Sequence, residues 1–585
     1  MKRTTTALST TLLLLALGGA AAAQESAGSP PPDGSGGHFF VGTRGLDNAN
    51  YLGKVSEYDT ARQGLRPSVG TNFWIQRGST FLDVNGEFRG DARDQQYGVD
   101  FQVGRYLRIR SYFVQFLHRL DHDPLKDFDA GKGGPLVWHE DHAPGVDYLP
   151  NYNEVTTRLE FTVPHAEWLR FHAGHRSYQR HGPVQARTIA HCSSCHVQAV
   201  TKNIDQRTHE FTGGVSLRFH NFSVDYEYLN RQFNERGETP MMLYDASIHP
   251  VKLIPIFGNR VSFDDRDGPL PFSMVPDGRK SRHSLRARAA LPGDAKLSGA
   301  FTSASLTNKF TGLGADTWGW NGKFTIPIGK RLQFLTRARQ TDVDADDVFV
   351  EIQEPTAIAG PHAGLTYPEA YPDFGSASFM RYSVRSRNRF SWKGELSARL
   401  ARYTTLRGGY EFIRLKRDNF EIARTDTNRL YFTFYSRRRD TVGGDWSWRL
   451  RYRFDDVNDP FLHHKATLPP ALQPYPSPNL SPFAGLQYYK LYAARQADLT
   501  AFPTKAHTVE PTVTWMPSMR FSASLHYRYR NLKNDELNRS EWKRSVHLPG
   551  VELWFAPLER LDFTVAYTFH NEHSESLFGI PVYDG

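Results

Sequence analysis

Cys192-Ser193-Ser194-Cys195-His196 contains both cysteines of a 585-residue chain, and Cys-x-x-Cys-His is the attachment signal for a covalent c-type haem. The two thiols form thioethers with the porphyrin, and the adjoining His196 is then held where its imidazole ligates the iron. Other readings of the pair are a structural disulfide, a redox dithiol or half of a zinc site. A four-thiolate zinc site needs two more cysteines, and a redox dithiol expects a βαβ context that is absent here. For the sixth iron position the nearby candidates are His172, His175, His181, His191 and His209, with Met241 and Met242 more remote. His191 abuts Cys192 and is poorly placed to reach the opposite face of the same porphyrin. His181 or His209 is therefore the expected distal ligand, unless a partner supplies one or the position stays open.

Export agrees with haem chemistry. Residues 1–23 read as a signal peptide: Lys2 and Arg3, then the apolar run Leu12 to Leu17, then Ala21-Ala22-Ala23 as a small-residue cleavage site. Residues 24–37, rich in Pro, Gly and Ser, read as a flexible linker. No later stretch approaches the ~18 apolar residues of a membrane helix.

The elements that must position the motif are strands. In Trp446-Ser447-Trp448-Arg449-Leu450-Arg451-Tyr452-Arg453-Phe454, large apolar side chains alternate with polar or cationic ones. The same period of two recurs in 222–228, 521–530 and 561–570. Long alternating segments are joined by short turns at Gly104-Arg105, Pro164-His165-Ala166, His220-Asn221, Pro292-Gly293-Asp294, Pro327-Ile328-Gly329, Pro517-Ser518 and Ala556-Pro557-Leu558. Between the pairs lie long polar connections at 121–152, 178–206, 233–279, 343–379 and 456–486. Short turns on one side and long loops on the other predict an all-β chain: a large transmembrane antiparallel β-barrel over 38–585, of roughly 20–24 strands. Trp515, Trp554 and Phe555, just before short turns, suit an interfacial aromatic girdle. Regions 480–504 and Leu577 to Tyr583 fit either a strand or another structure. The haem-binding segment becomes loop 179–205 on the long-connection side, and a lumenal haem is expected because burial shields its potential.

Barrel patterning and export argue against nucleic-acid binding, despite a net charge of +9. Arg337, Arg339, Arg449, Arg451, Arg453, Arg528 and Arg530 fall on the polar face. They predict a cationic lumen that attracts anionic solutes or an acidic plug, unless neighbouring carboxylates balance them.

Signal peptide, large barrel, Tyr/Gly-rich early strands (Phe39 to Gly45, Tyr51 to Tyr58, Asp100 to His118) and a c-type haem motif together resemble the MtrB/PioB-like porins of porin–cytochrome electron conduits. The resemblance is architectural and covers most of the mature chain. It implies an outer-membrane sheath around a periplasmic multihaem cytochrome, passing electrons to an outer-surface cytochrome or mineral. The best-known members are typically haem-free, whereas this chain carries its own motif in mid-barrel. One porphyrin is far smaller than the ~30 Å hydrocarbon core, so further haems must come from a partner. The expected function is electron transfer across the outer membrane and not enzymatic catalysis. The alternative is an Arg-lined, anion-selective porin with an accessory haem.

Overall fold

The computed structural model describes residues 33–46, 64–91, 93–125, 140–189, 197–244, 268–350, 363–366, 369, 379–381, 383, 385–417, 424–439, 443–458, 502–534, 542–558 and 561–576. The expected signal peptide, the Cys192-to-His196 motif, His191, residues 480–501 and the segment from Leu577 onward lie outside the described residues.

Alternating sequences fold as two-faced strands because successive side chains point to opposite sides. Among the described residues, 23 strands join in one sheet. Its transverse strands follow one another in chain order, each antiparallel to the last, from Gly34–Leu46 beside Gly64–Arg77 to Leu561–Thr568 beside Trp542–Leu558. Two-residue Glu140–Asp141 is a parallel addition, and Leu561–Thr568 and Asn571–Glu575 lie in succession along one neighbour, which leaves 21 transverse positions. The fold is the all-β antiparallel barrel type that the alternation predicts. The first strand begins at Gly34, so the last residues of the expected 24–37 linker are strand, paired with Phe73 to Gln76.

Both faces are legible in the register. Tyr226, Leu285, Phe301 and Trp320 are cross-strand neighbours in one outward row. Such contiguous exposed apolar surface marks contact with a non-aqueous phase. Near the short turns, Trp446 stacks on Trp515 at 5.8 Å, and Phe521 meets Trp515 edge-on at 5.9 Å. The Trp515 indole N–H donates to the Gly443 carbonyl at 2.7 Å, an amphipathic arrangement suited to a membrane boundary. No helix among the described residues is long and apolar enough to cross a membrane; the strands cross instead.

Connections alternate as expected, with Gly78-Ser79, Pro292–Asp294 and Arg402-Tyr403 on the short side. Three expected turns shift. Pro517-Ser518 belongs to the strand Lys505–Ser518, Pro327-Ile328 to Gly314–Ile328 and Ala556-Pro557-Leu558 to Trp542–Leu558. A proline near a strand end sacrifices one ladder bond and so need not end the strand.

Candidate functional site

The strands Leu169–Ile189 and Val197–Arg218 pair without a break from Leu169 opposite Leu217 to Ile189 opposite Val197. Their neighbours stop earlier: Asn151–Thr162 ends opposite His181, and Phe222–Glu235 ends opposite Gln206. The eight pairs from Gly182–Ile204 to Ile189–Val197 therefore stand beyond the sheet, roughly 26 Å at the usual strand rise. This corrects the expected loop 179–205. Gly182-Pro183 reads as punctuation, yet Val184, Ala186 and Thr188 alternate with Gln185 and Arg187, so the strand period continues through it. Gly182 has φ +126°, and a Cβ there would lie 3.1 Å from the Pro150 Cα. Glycine is required where the ribbon leaves the sheet.

A two-stranded ribbon alone is marginally stable. This one is buttressed on both faces. On the first, Ala186 packs with Met242, Tyr244 and Phe272 in a buried cluster. There the Thr188 and Tyr244 hydroxyls are 2.8 Å apart, and the buried Lys202 ammonium donates to the Ser273 carbonyl at 2.5 Å. Along its edge, Glu140–Asp141 pairs in parallel beside Gln198 and Ala199, and the His142 N–H donates to the Ala199 carbonyl at 2.9 Å, while the second face is covered by Asp123 and Tyr148. Asp123 and Gln185 exchange hydrogen bonds, with the Asp123 N–H donating at 3.2 Å and the Gln185 amide at 2.7 Å. Arg187 pairs with Asp123 at 2.9 Å. The Tyr148 ring is 1% exposed, packed edge-on to His122 at 4.8 Å, with its hydroxyl 3.4 Å from that of Thr201.

Cys192, Cys195 and His196 belong to the seven-residue connection 190–196 between these arms and lie outside the described residues. Their donor set, two thiols and an imidazole, suits covalent haem, and both anchors of the connection belong to the buttressed ribbon. Those anchors stand eight residue pairs beyond the neighbouring strands, and the expected lumenal haem position falls on residues outside those described. The structure does not bring His181 or His209 beside them. His181 lies eight residues before Ile189, and His209 twelve after Val197, about 26 Å and 40 Å along the strands. His209 stacks on His175 at 5.8 Å, and His175 on Phe211 at 4.6 Å. His172 is on the polar face, 3.8 Å from Glu227. Met242 is buried in the buttress while Met241 is exposed.

Sequence reasoning missed His142. Its main chain is bonded to Ala199, three residues past His196, and its ring is partly exposed, with Nδ1 3.6 Å from Glu140. His122 is also near, but both ring nitrogens are committed, Nε2 to Asp141 at 2.5 Å and Nδ1 to the Val146 carbonyl at 2.8 Å. The run His139-Glu140-Asp141-His142 is conspicuous in sequence, but nothing local says that it returns to a hairpin about 60 residues on. Lower on the ribbon, beyond the apolar band, the Arg207 guanidinium bonded to Asp205 at 2.9 Å holds that carboxyl below its ordinary range, aided by the Gln179 amide.

The polar face is part balanced, part not. Arg528 and Arg451 meet Glu510 at 2.5 and 3.9 Å, Arg453 meets Asp455 at 3.5 Å, and Arg449 donates to the Thr512 hydroxyl at 3.2 Å. Arg429 bridges Glu411 and Asp455 at 2.9 and 2.7 Å. Arg337, Arg339 and Arg530 have no ion pair among the described residues.

No protein-family profile and no curated protein matches the chain. Solved structures similar to it include the siderophore receptor PirA from Acinetobacter baumannii. PirA is 7% identical with a TM-score of 0.47, over 91% of this chain and 75% of that one. The copper transporter OprC is 9% identical with a TM-score of 0.45, over 90% and 72% of the two chains.

Proposed function

We propose that the chain is an exported outer-membrane barrel that binds one c-type haem through Cys192, Cys195 and His196. It sheathes a multihaem cytochrome, so that electrons cross the outer membrane. The observation that carries this reading is the Cys-x-x-Cys-His motif on the connection of a buttressed ribbon, on the long-connection side of a membrane-type barrel. Haem supplies one-electron chemistry when bound. The chain's own part is to tether it by two thioethers, to ligate it through His196, and to hold the tether's anchors at a fixed height above the sheet. At that height the haem is an entry or exit relay at one end of a longer path. The path needs further haems, and the chain has no other cysteines to hold them. A separate haem-rich cytochrome is accordingly the partner, with an outer-surface cytochrome as a second one.

Purification of the native complex, with haem staining of outer-membrane fractions, tests the reading. The expected result is a stained band for this chain that disappears in Cys192→Ala, together with a second stained polypeptide. A barrel purified with no additional haem protein would sink the conduit. Persistent staining in Cys192→Ala would remove the haem assignment. The other reading, an anion-selective porin, draws on the unpaired Arg337 and Arg339. It expects an open anion-selective conductance in planar bilayers, where the conduit expects little.

A further inference from the structure

Cross-strand partners share a face, so the register sorts every side chain. On the lumen face of Gly278–Leu291, Ala295–Asn308, Gly314–Ile328 and Leu332–Ala345 there is no carboxylate at all. Yet the same face carries Arg286, Arg288, Lys323, Arg337 and Arg339, and none of these five has an ion-pair partner among the described residues. The register makes matters worse: Lys323 sits directly opposite Arg337, and Arg337 directly opposite Lys393. Like charges in directly opposed positions destabilise a sheet. Lys393 is relieved by Glu395 at 3.0 Å; Lys323 and Arg337 are not.

The neighbouring wall handles cations differently. Arg407 joins Lys393 on Glu395 at 3.2 Å, and Arg429 bridges two carboxylates. On the first wall Arg282 meets Glu227 at 2.8 Å and Arg286 lies opposite Asp225, but the row of Arg288, Lys323 and Arg337 has no counter-charge among the described residues, which calls for an anion from outside the wall. Two features favour a broad anionic surface over a small oxyanion. From Arg288 to Arg337 the charges span three inter-strand gaps, about 14 Å, too wide for one small ion to touch. The lumen-facing residues among them, Ser298, Ala300, Thr302, Ala304, Gly319 and Asn321, are small, which leaves a shallow floor with cationic edges.

We propose that this wall is the docking surface for an acidic face of the protein that fills the lumen. The proposal rests on the reading of the barrel as a sheath. Charge complementarity gives the occupant its register on one side of the barrel and leaves the ion-paired wall as passive lining.

A photo-crosslinking amino acid placed singly at Ala300, or at Thr433 on the ion-paired wall, tests it in native membranes. The expected result is a haem-staining adduct from Ala300, weaker at least tenfold from Thr433. The Ala300 adduct should fall at least tenfold in Arg337→Glu/Arg339→Glu and be retained in Arg337→Lys/Arg339→Lys. Heat-modifiable migration on gels confirms that each variant is a folded barrel. An adduct stronger from Thr433, or one indifferent to charge reversal, would overturn the docking surface while leaving the sheath standing. Absence of any haem-staining adduct or co-purifying cytochrome would fail the sheath itself. If anion selectivity in planar bilayers then disappears on charge reversal, the wall serves small anions and the proposal is overturned.

Discussion

Tyr148→Ala tests whether the ribbon that carries the Cys-x-x-Cys-His connection is held by a core of its own. The ring is 1% exposed and lies between His122 and the Thr201 strand. Truncating a buried aromatic to alanine costs about 3–5 kcal/mol. At about 1.4 kcal/mol per factor of ten, the constant for opening the buttress rises roughly 10²- to 10³·⁵-fold. Two amides report directly on it: Leu120 N–H donates to the Tyr148 carbonyl at 2.9 Å, and His142 N–H to the Ala199 carbonyl at 2.9 Å. Native-state hydrogen exchange should show protection at Leu120 and His142 falling by that factor, up to whatever stability the buttress has. The amides of Val215 and Tyr226, deep in the sheet, should keep theirs. Tyr148→Phe removes only a long 3.4 Å hydroxyl contact and should cost at most about 1 kcal/mol. Unchanged exchange at Leu120 and His142 in the alanine variant would refute the claim that Tyr148 is the centre of the buttress. An equal loss at Tyr226 would show instead that ribbon and barrel open as one unit.

Further outcomes follow from the same geometry. His181→Ala and His209→Ala should leave the visible spectrum of the haem unchanged, because both are far along the strands from the anchors of the motif; a shifted or high-spin spectrum in either would show that the ribbon folds back. Gly182→Ala should cost about 1–3 kcal/mol for its positive φ, read as faster proteolysis of the ribbon with the barrel intact. Glu395→Ala removes a carboxylate 9% exposed that serves Lys393, Arg407 and the Tyr431 hydroxyl; urea unfolding in vesicles should register about 3 kcal/mol, whereas half-exposed Arg451→Ala should register below about 1 kcal/mol. The lowered Asp205 carboxyl contributes stability above its unfolded value and loses it only as pH falls through its depressed folded value. Protection of the amides around Arg207 should therefore survive acidification into the ordinary carboxylate range and drop below it, and Asp205→Asn should abolish that step.

The sheet was readable because a period of two states which face each residue takes. Trp446 to Phe454 alternates in sequence, and the structure puts Arg451 and Arg453 among carboxylates on the polar face while Trp446 stacks outside. Ion pairing was not readable. Glu510 reaches Arg451 and Arg528 only through the registers of the two strands beside it. Nor was the ribbon, because a Gly-Pro pair within a polar stretch has the composition of a loop. What makes it strand is burial supplied by Met242, Tyr244 and Phe272 on one face and Tyr148 on the other, and sequence separation hides such contacts. His142 went unseen for the same reason.

A connection that merely joined two strands would need no core, since long loops on a barrel rim cost little to leave solvated. This one carries a buried lysine, a closed aromatic cluster and a parallel bridge, all spent on holding eight residue pairs upright. Ordering that much chain has an entropic cost that a flexible tether avoids. The expense is understandable if the position of the group on the connection matters, and position matters for an electron carrier because transfer falls steeply with distance. A haem serving only as a structural staple would gain nothing from a fixed height above the sheet. The buttressing of the ribbon and the unbalanced charge of the lumen wall therefore bear on the proposed function from separate parts of the molecule: one would fix where a haem stands, and the other would leave a place for a protein that brings electrons to it or takes them away.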